Sequence, residues 1–208
     1  LNRSGPMSMA PSQLGAFTRS DPSQASANLQ YHVQPLSLNK FGEPLHDFPA
    51  FTASVCNLRP TSRGHVRIAS GDPMAAPKIT PNYLSTPEDR KVAADSLALT
   101  RRIVAAPALS EHMPEEFMPG INFQTEEERI RAAGEIGTTI FHPVGTCKMG
   151  KSDDVTAVVD HQMRVIGVQG LRVVDASIMP TITSGNPNSP IIMMAEKAAL
   201  WIKAAKRV

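Results

Sequence analysis

Eighteen prolines in 208 residues set the strongest limit on how this chain folds. Proline lacks a backbone N–H and has a fixed φ, so it ends helices and stays out of central strands. Short segments joined by turns are therefore expected over most of the chain. Residues 1–28, rich in Ser, Pro, Gly and Ala, have no sustained period and read as extended or looped packing over another surface. LQYHVQPL (29–36) alternates, with Leu29, Tyr31 and Val33 on one face and Gln30, His32 and Gln34 on the other, the pattern of a strand with a polar, ligand-facing side. AFTASVCNLRP (50–60), GHVRIAS (64–70) and PKITPNYL (77–84) are three further candidates, the last demoted to an edge by Pro81.

Two helices follow. Ser85 and Glu88 have capping-box spacing, Pro87 fits the first turn, and Val92, Leu99 and Ile103 share a face before Pro107 stops the run. After a Pro- and Met-rich link (107–123), Thr125 and Glu128 repeat the box, and Gly137 is the stop. Thr139-Ile140-Phe141 is expected to be extended. VVDHQMRVIGVQGLRVVDAS reads as two or three short strands parted by Gly167 and Gly170. Its LRVVDAS run has the near-continuous apolar character of a strand buried on both faces in a parallel sheet, yet no βαβ series surrounds it. A final helix is expected from Pro190 to Lys206, capped by Ser189, with IIMMA buried all round. The expected class is α+β: an antiparallel sheet with flanking helices, then a C-terminal strand and helix.

Composition excludes several functions. Net charge is only +2 and basic residues are scattered, so no nucleic-acid surface is expected. The two cysteines, Cys56 and Cys147, form no CxxC pair; reduced thiols are expected, with no metal site. No apolar run reaches the ~20 residues of a membrane span. The chain opens at Leu1 without a start methionine or signal peptide, and is expected to be a piece of a longer protein.

Chemistry concentrates in the last third. His142 stands before Pro143, which holds the histidine backbone extended, with Gly145-Thr146 turning behind it. Imidazole titrates near neutrality and is the default general base for an alcohol proton. Asn186 lies between Gly185 and Pro187, just before the last helix. The bland reading there is a turn and helix cap; the functional one is an amide beside a positive dipole end, where negative charge is favoured. A hydrolase reading, with Ser184 or Ser177 beside His142, is weak because no GxSxG elbow exists.

FHPVGTCKMG followed by VVDHQMRVIGVQGLRVVDASIMPTITSGNPNSPIIMMAEKAA closely resembles the C-terminal signature of the glucose–methanol–choline (GMC) flavoprotein oxidoreductases, in the choline and alcohol dehydrogenase branch. The match is dense over 138–203. It is looser upstream, through LQYHVQP, FTASVCNLRPTSRGHVRI and PKITPNYLSTPED. His161 departs from the proline common in the family.

The resemblance implies that His142 takes the hydroxyl proton of a primary alcohol while hydride leaves for flavin N5. Asn186 would hydrogen-bond the substrate oxygen. Asp175 and Ala176 would lie along the flavin's ribityl-phosphate portion, and Asn188 and Ser189 at its pyrimidine edge. His32 matches a substrate-pocket histidine.

It also implies a boundary: 1–137 as the C-terminal part of a substrate-binding cap domain, and 138–208 as the catalytic segment returning to an incomplete FAD-binding α/β domain. No GxGxxG dinucleotide-binding pattern occurs. FAD is accordingly the implied cofactor, not held by this stretch alone, and the missing N-terminal FAD-binding portion is an implied partner beside the small-molecule alcohol. The alternative is a non-catalytic substrate-binding or assembly module. A cytoplasmic location is expected, with peripheral membrane association and homo-oligomerisation left open.

Overall fold

In a computed structural model, which describes residues 8, 10, 12–40 and 42–205, the chain falls into two compact units. The first is Leu1–Thr61 with Leu84–Gly137, and the second is Ser62–Tyr83 with Thr138–Val208.

The first unit is built on an antiparallel sheet in the order β1 (Leu14–Thr18), β2 (Leu29–Gln34), β3 (Thr52–Asn57). Strand β1 lies within 1–28, read as extended or looped packing: its local sequence is a poor strand former, but Leu14 to Thr18 pair in register with Val33 to Leu29. Tertiary pairing therefore overrides weak propensity. Strand β2 forms where alternation places it and is central, opposite Asn57 to Thr52 of β3.

Leu29 and Tyr31 are buried. The Tyr31 hydroxyl reaches Thr100 Oγ1 at 2.9 Å and donates to the Ser96 carbonyl at 3.4 Å, tying that sheet face to helix α1 (Pro87–Val104). Burial pushes the Tyr31 phenol above its ordinary range, against the hydrogen bond to Thr100. Full burial of a side chain such as Leu29 contributes about 1.5–3 kcal/mol.

Helix α1 starts one residue later than its sequence signal. Thr86 rather than Ser85 is the N-cap, accepting from Asp89 N at 3.3 Å, so the expected Ser85–Glu88 box does not form. Asp89 explains the shift. Its carboxylate is 4% exposed and accepts from Asn57 Nδ2 at 3.2 Å and Thr61 N at 2.9 Å, pinning the exit of β3 to the first turn. The buried positions of α1 are Asp89, Ala94 and Ser96, while Ile103 is 45% exposed. The expected apolar face is thus rotated toward small residues, which permit close approach.

A short helix, α2 (Pro107–Ser110), interrupts the link expected to be irregular. The rest of the link is held by Arg101, whose guanidinium is bidentate to Glu116 at 2.8 and 2.9 Å and donates to the Phe123 and Gly120 carbonyls. Helix α3 (Glu126–Ile136) carries the Thr125–Glu128 capping box in full. Gly137 ends it in extended rather than left-handed geometry.

The Glu128 carboxylate accepts from the amides of Thr125 and Gln124, both at 2.8 Å, and these bonds hold its pKa below the ordinary glutamate range. A depressed folded pKa means that the stabilisation is present above the ordinary glutamate value, about 4.3, and is lost as pH falls through the lower folded one. Hydrogen-exchange protection of the Gln124 and Thr125 amides should fall across that acid window. Flat protection from about pH 6 to about pH 2 would show that the carboxylate does not cap α3.

The second unit begins with a separate hairpin, β4 (His65–Arg67) and β5 (Lys78–Thr80), antiparallel and exposed along its length. The four upstream strand signals thus make two sheets. Gly64 is required at the entrance, because a Cβ there would lie 2.1 Å from the Thr80 carbonyl oxygen. The core of this unit is Val159, Met163, Ile178 and Ala198, with Met149, Val165, Val173, Val174, Met194 and Trp201 packed on it.

The strands expected over 158–174 are replaced by isolated bridges, Met149 with Val159, Val159 with Val165, and Arg164 with Arg172. Gly167 and Gly170 turn the chain at φ +80° and +76°. LRVVDAS does not form the two-face-buried strand: Leu171 is 51% exposed. Among the described residues no parallel strands flank it, and its pairing is limited to the antiparallel bridge between Arg172 and Arg164. The α+β class stands, with the C-terminal strand reduced to an extended run.

Helix α4 spans Asn188–Ala205 of the described residues. Met194, Ala198 and Trp201 meet the core, and their spacing defines a single stripe. Ile192 and Met193 lie off it and are 54% and 61% exposed. The opening turns are therefore not buried all round, because only one side of the helix meets the core. Lys203 in its last turn is exposed; Arg207, also assigned to the solvated end, lies outside the described residues.

Candidate functional site

His142, Asp175, Ala176, Asn186, Asn188 and Ser189 all belong to the second unit, and His32 to the first. The histidine loop is fixed by two backbone hydrogen bonds. Cys147 N donates to Ser177 O at 2.9 Å and Met149 N to Ile178 O at 2.8 Å. Gly145 sits at φ +88°, and a Cβ there would come within 3.3 Å of the Met179 oxygen. Glycine is needed on both counts. The backbone behind His142 is thus tied to residues 177–179, which open the segment leading to Asn186. Ile178 and Ala198 share one core, so both loops rest on the same support.

The His142 ring is half-buried and makes no hydrogen bond among the described residues, so its nitrogens are unspent. Phe141, expected to be extended, instead has φ +62° and is 66% exposed. Its N–H donates to Thr139 Oγ1 at 3.0 Å. A left-handed aromatic residue is a backbone outlier that costs about 1–3 kcal/mol and persists only where its surroundings impose it. This strain abuts the candidate base, and no residue-type signal foretold it.

Ile191 N donates to Pro187 O at 3.0 Å, so Pro187 occupies the cap position by its carbonyl. The expected N-cap Ser189 is corrected to a first-turn residue. Asn186 precedes the cap and is exposed. The amides of Asn188 and Ser189 are first-turn donors without helical acceptors, at the positive end of α4.

Asp175 caps a 3-10 turn, Ala176–Ile178, accepting from Ser177 N at 2.8 Å and from the Ser177 hydroxyl. That carboxylate is engaged in shaping its own turn. The same bond occupies the Ser177 hydroxyl, which leaves little for the hydrolase reading.

Among the described residues, two buried side-chain atoms have no hydrogen-bond partner: His32 Nε2 and Thr183 Oγ1. Leaving such a group unpaired costs about 1–3 kcal/mol, and each instance calls for an explanation. His32 lies between Gly15 of β1 and Ser54 of β3 in register. Ser54 is polar, and nothing but the Tyr31 backbone oxygen lies within 4 Å of a Cβ built on Gly15. The sequence reading singled out His32 but passed over Thr183, which looks like one more loop hydroxyl until its burial is seen.

The first-turn amides of α4 fit a flavin, since unpaired donors at the positive end of a helix suit an electron-rich ring edge. Among the described residues no cluster of three or more His, Cys, Asp or Glu occurs, and no helix is long and apolar enough to cross a membrane. Cys56 and Cys147 are both free thiols, and burial pushes the Cys56 pKa up.

Known proteins agree on the kind of fold this is. A 42% identical relative over 187 residues is the oxygen-dependent choline dehydrogenase 1 of Chromohalobacter salexigens, covering 90% of this chain and 33% of that protein. The alcohol dehydrogenase [acceptor] of Pseudomonas putida is 40% identical over 199 residues, 96% of this chain and 36% of that protein. This chain therefore spans about a third of the length of the curated relatives it matches. Among solved structures, an FAD-dependent oxidoreductase from Chaetomium thermophilum superposes with a TM-score of 0.72 at 31% identity, over 88% of this chain and 29% of that one. Residues 60–195 match the family model of the GMC oxidoreductases, and it is to this family that the chain belongs.

Proposed function

We propose that this chain is the C-terminal, catalytic-residue-bearing part of an FAD-dependent enzyme that oxidises a primary alcohol, choline-like or other, to the aldehyde. The observation that carries the reading is the His142 ring, unspent in hydrogen bonding, on a loop anchored to the segment that leads to Asn186. The names of the relatives, a choline dehydrogenase and an alcohol dehydrogenase, support the substrate class.

His142 accepts the hydroxyl proton on a ring nitrogen. Asn186 holds the alcohol oxygen through its amide, which keeps the proton aimed at the base. His32 is the substrate-pocket histidine, a role supported by the resemblance of LQYHVQP. The first-turn amides of Asn188 and Ser189 favour negative charge at their end of α4. Asp175 and Ala176 line the cofactor through the turn that Asp175 caps. The flavin, when bound, supplies the two-electron acceptor that no amino-acid side chain provides.

One fact favours a second reading for these 208 residues taken alone: the chain spans about a third of its relatives. By itself it would then be a substrate-binding or assembly module without FAD.

Visible absorption separates the two. A holoenzyme carrying this chain should be yellow and should bleach when a primary alcohol is added without oxygen. A folded, colourless preparation of the full polypeptide, unchanged by alcohols, would sink the oxidoreductase reading.

A further inference from the structure

The strip of chain that leaves the histidine loop is held along both edges. On one edge the Cys147 and Met149 amides donate to the Ser177 and Ile178 carbonyls, which belong to the segment leading to Asn186. On the other edge the Lys148 carbonyl accepts from Val158 N at 2.8 Å and Val159 N at 3.3 Å, and Gly150 N donates to Val159 O at 3.0 Å. This outer edge is joined to the strip by the turn 151–157.

Three side chains clasp that turn. Lys148 Nζ meets Asp154 Oδ2 at 2.8 Å and donates to Thr156 Oγ1 at 2.6 Å. Asp154 Oδ1 accepts from Thr156 N at 2.9 Å and from the Thr156 hydroxyl at 2.6 Å. The Lys148 ammonium and Thr156 hold the Asp154 carboxyl well below the usual carboxylate range. Gly150 fits beneath the clasp only because it lacks a side chain: a Cβ there would lie 2.7 Å from Ala157 Cβ and 2.9 Å from Asp154 Oδ2. The Lys148 and Asp154 side chains are 30% and 34% exposed, and ion pairs open to solvent add little stability. What the clasp does supply is geometry, since charge-assisted bonds are short and directional.

We infer that Lys148 and Asp154 are positioning residues for His142: by closing the turn 151–157 they fix the outer edge of the strip from which the base is hung. This rests on the reading of His142 as the base, and goes beyond it by giving the reaction two residues that act only through another. Proton transfer depends steeply on placement, and a shift of about 1 Å can cost about 10²-fold in rate. A loosened strip still seated on Ser177 and Ile178 should cost less.

The test uses the holoenzyme with Lys148→Met, Asp154→Asn, the double variant and Lys148→Arg, each also placed in a His142→Ala background. Flavin reduction by a primary alcohol is followed by rapid-reaction absorbance. Each of the first two variants should slow reduction at saturating alcohol by about five- to tenfold, below the full cost of a misplaced group, with the half-saturating alcohol concentration unchanged. The double variant should be no slower than either single one, because the pair acts as a unit. Lys148→Arg, which keeps the charge, should recover most of the rate. In the His142→Ala background the same substitutions should have no further effect.

Reduction at the wild-type rate in both single variants overturns the inference. So does an undiminished further loss in the His142→Ala background, which would make the clasp a general support of the fold. Opposite effects of Lys148→Met and Asp154→Asn overturn it too, since charge rather than placement would then be at work. Normal turnover in His142→Ala alone would instead bring down the assignment of the base.

Discussion

Replacing His142 by Ala in the holoenzyme should lower kcat for the alcohol by about 10²–10⁴-fold, the usual contribution of a positioned general base. That range corresponds to about 3–5 kcal/mol of barrier. Stability should hardly change. The ring makes no hydrogen bond among the described residues, and the loop is held by backbone bonds from Cys147 and Met149 and by the close approach of Gly145 to Met179. A large kinetic loss at constant Tm is therefore the expected signature. Turnover within a few-fold of wild type at neutral pH would remove His142 from the mechanism.

For Asn186→Ala the expected result is flavin reduction slowed by about 10²–10³-fold, as when one preorganised donor to a reacting oxygen is lost. Rapid-reaction absorbance at the flavin band measures it directly. The position of the helix start sharpens this prediction. Were Asn186 the cap of α4, its removal would cost about 1 kcal/mol of stability, and any slowing could be blamed on a frayed helix. Pro187 holds the cap position through the bond from Ile191, and the alanine variant should still fold. Normal reduction kinetics would leave Asn186 a turn residue and nothing more.

The two variants should also differ in kind. Loss of the base removes the proton acceptor and affects every alcohol alike. Loss of the amide relaxes the aim of the substrate oxygen, so alcohols with more binding groups of their own should suffer less. A matched substrate series in both backgrounds would show whether the effects separate.

Much of this was legible along the chain, because the signals were local. Strand β2 followed from a period of two in LQYHVQ, and α3 from Thr125 and Glu128 at capping-box spacing with a glycine at its end. His142 and Asn186 were legible as residue types in loop settings, strengthened by the order of motifs around them. The misses have a common origin. β1 exists because β2 offers it an edge. LRVVDAS fails to become a buried strand because the described residues give it one antiparallel bridge and no parallel neighbours. α4 exposes Ile192 and Met193 because only the Met194–Ala198–Trp201 stripe meets a core. Each outcome depends on what lies beside the segment in space, which periodicity does not record.

The site divides in the same way. By itself the sequence determined which groups are capable of the chemistry, since an imidazole or an amide carries its hydrogen-bonding capacity wherever it sits. Only the tertiary structure decided that Phe141 is left-handed beside the base, that Ser189 lies inside the helix rather than capping it, and that His32 Nε2 and Thr183 Oγ1 are buried without partners among the described residues. Burial is a property of the packed surroundings: the free energy of an unpaired hydroxyl changes only when water is taken from it, and folding alone does that.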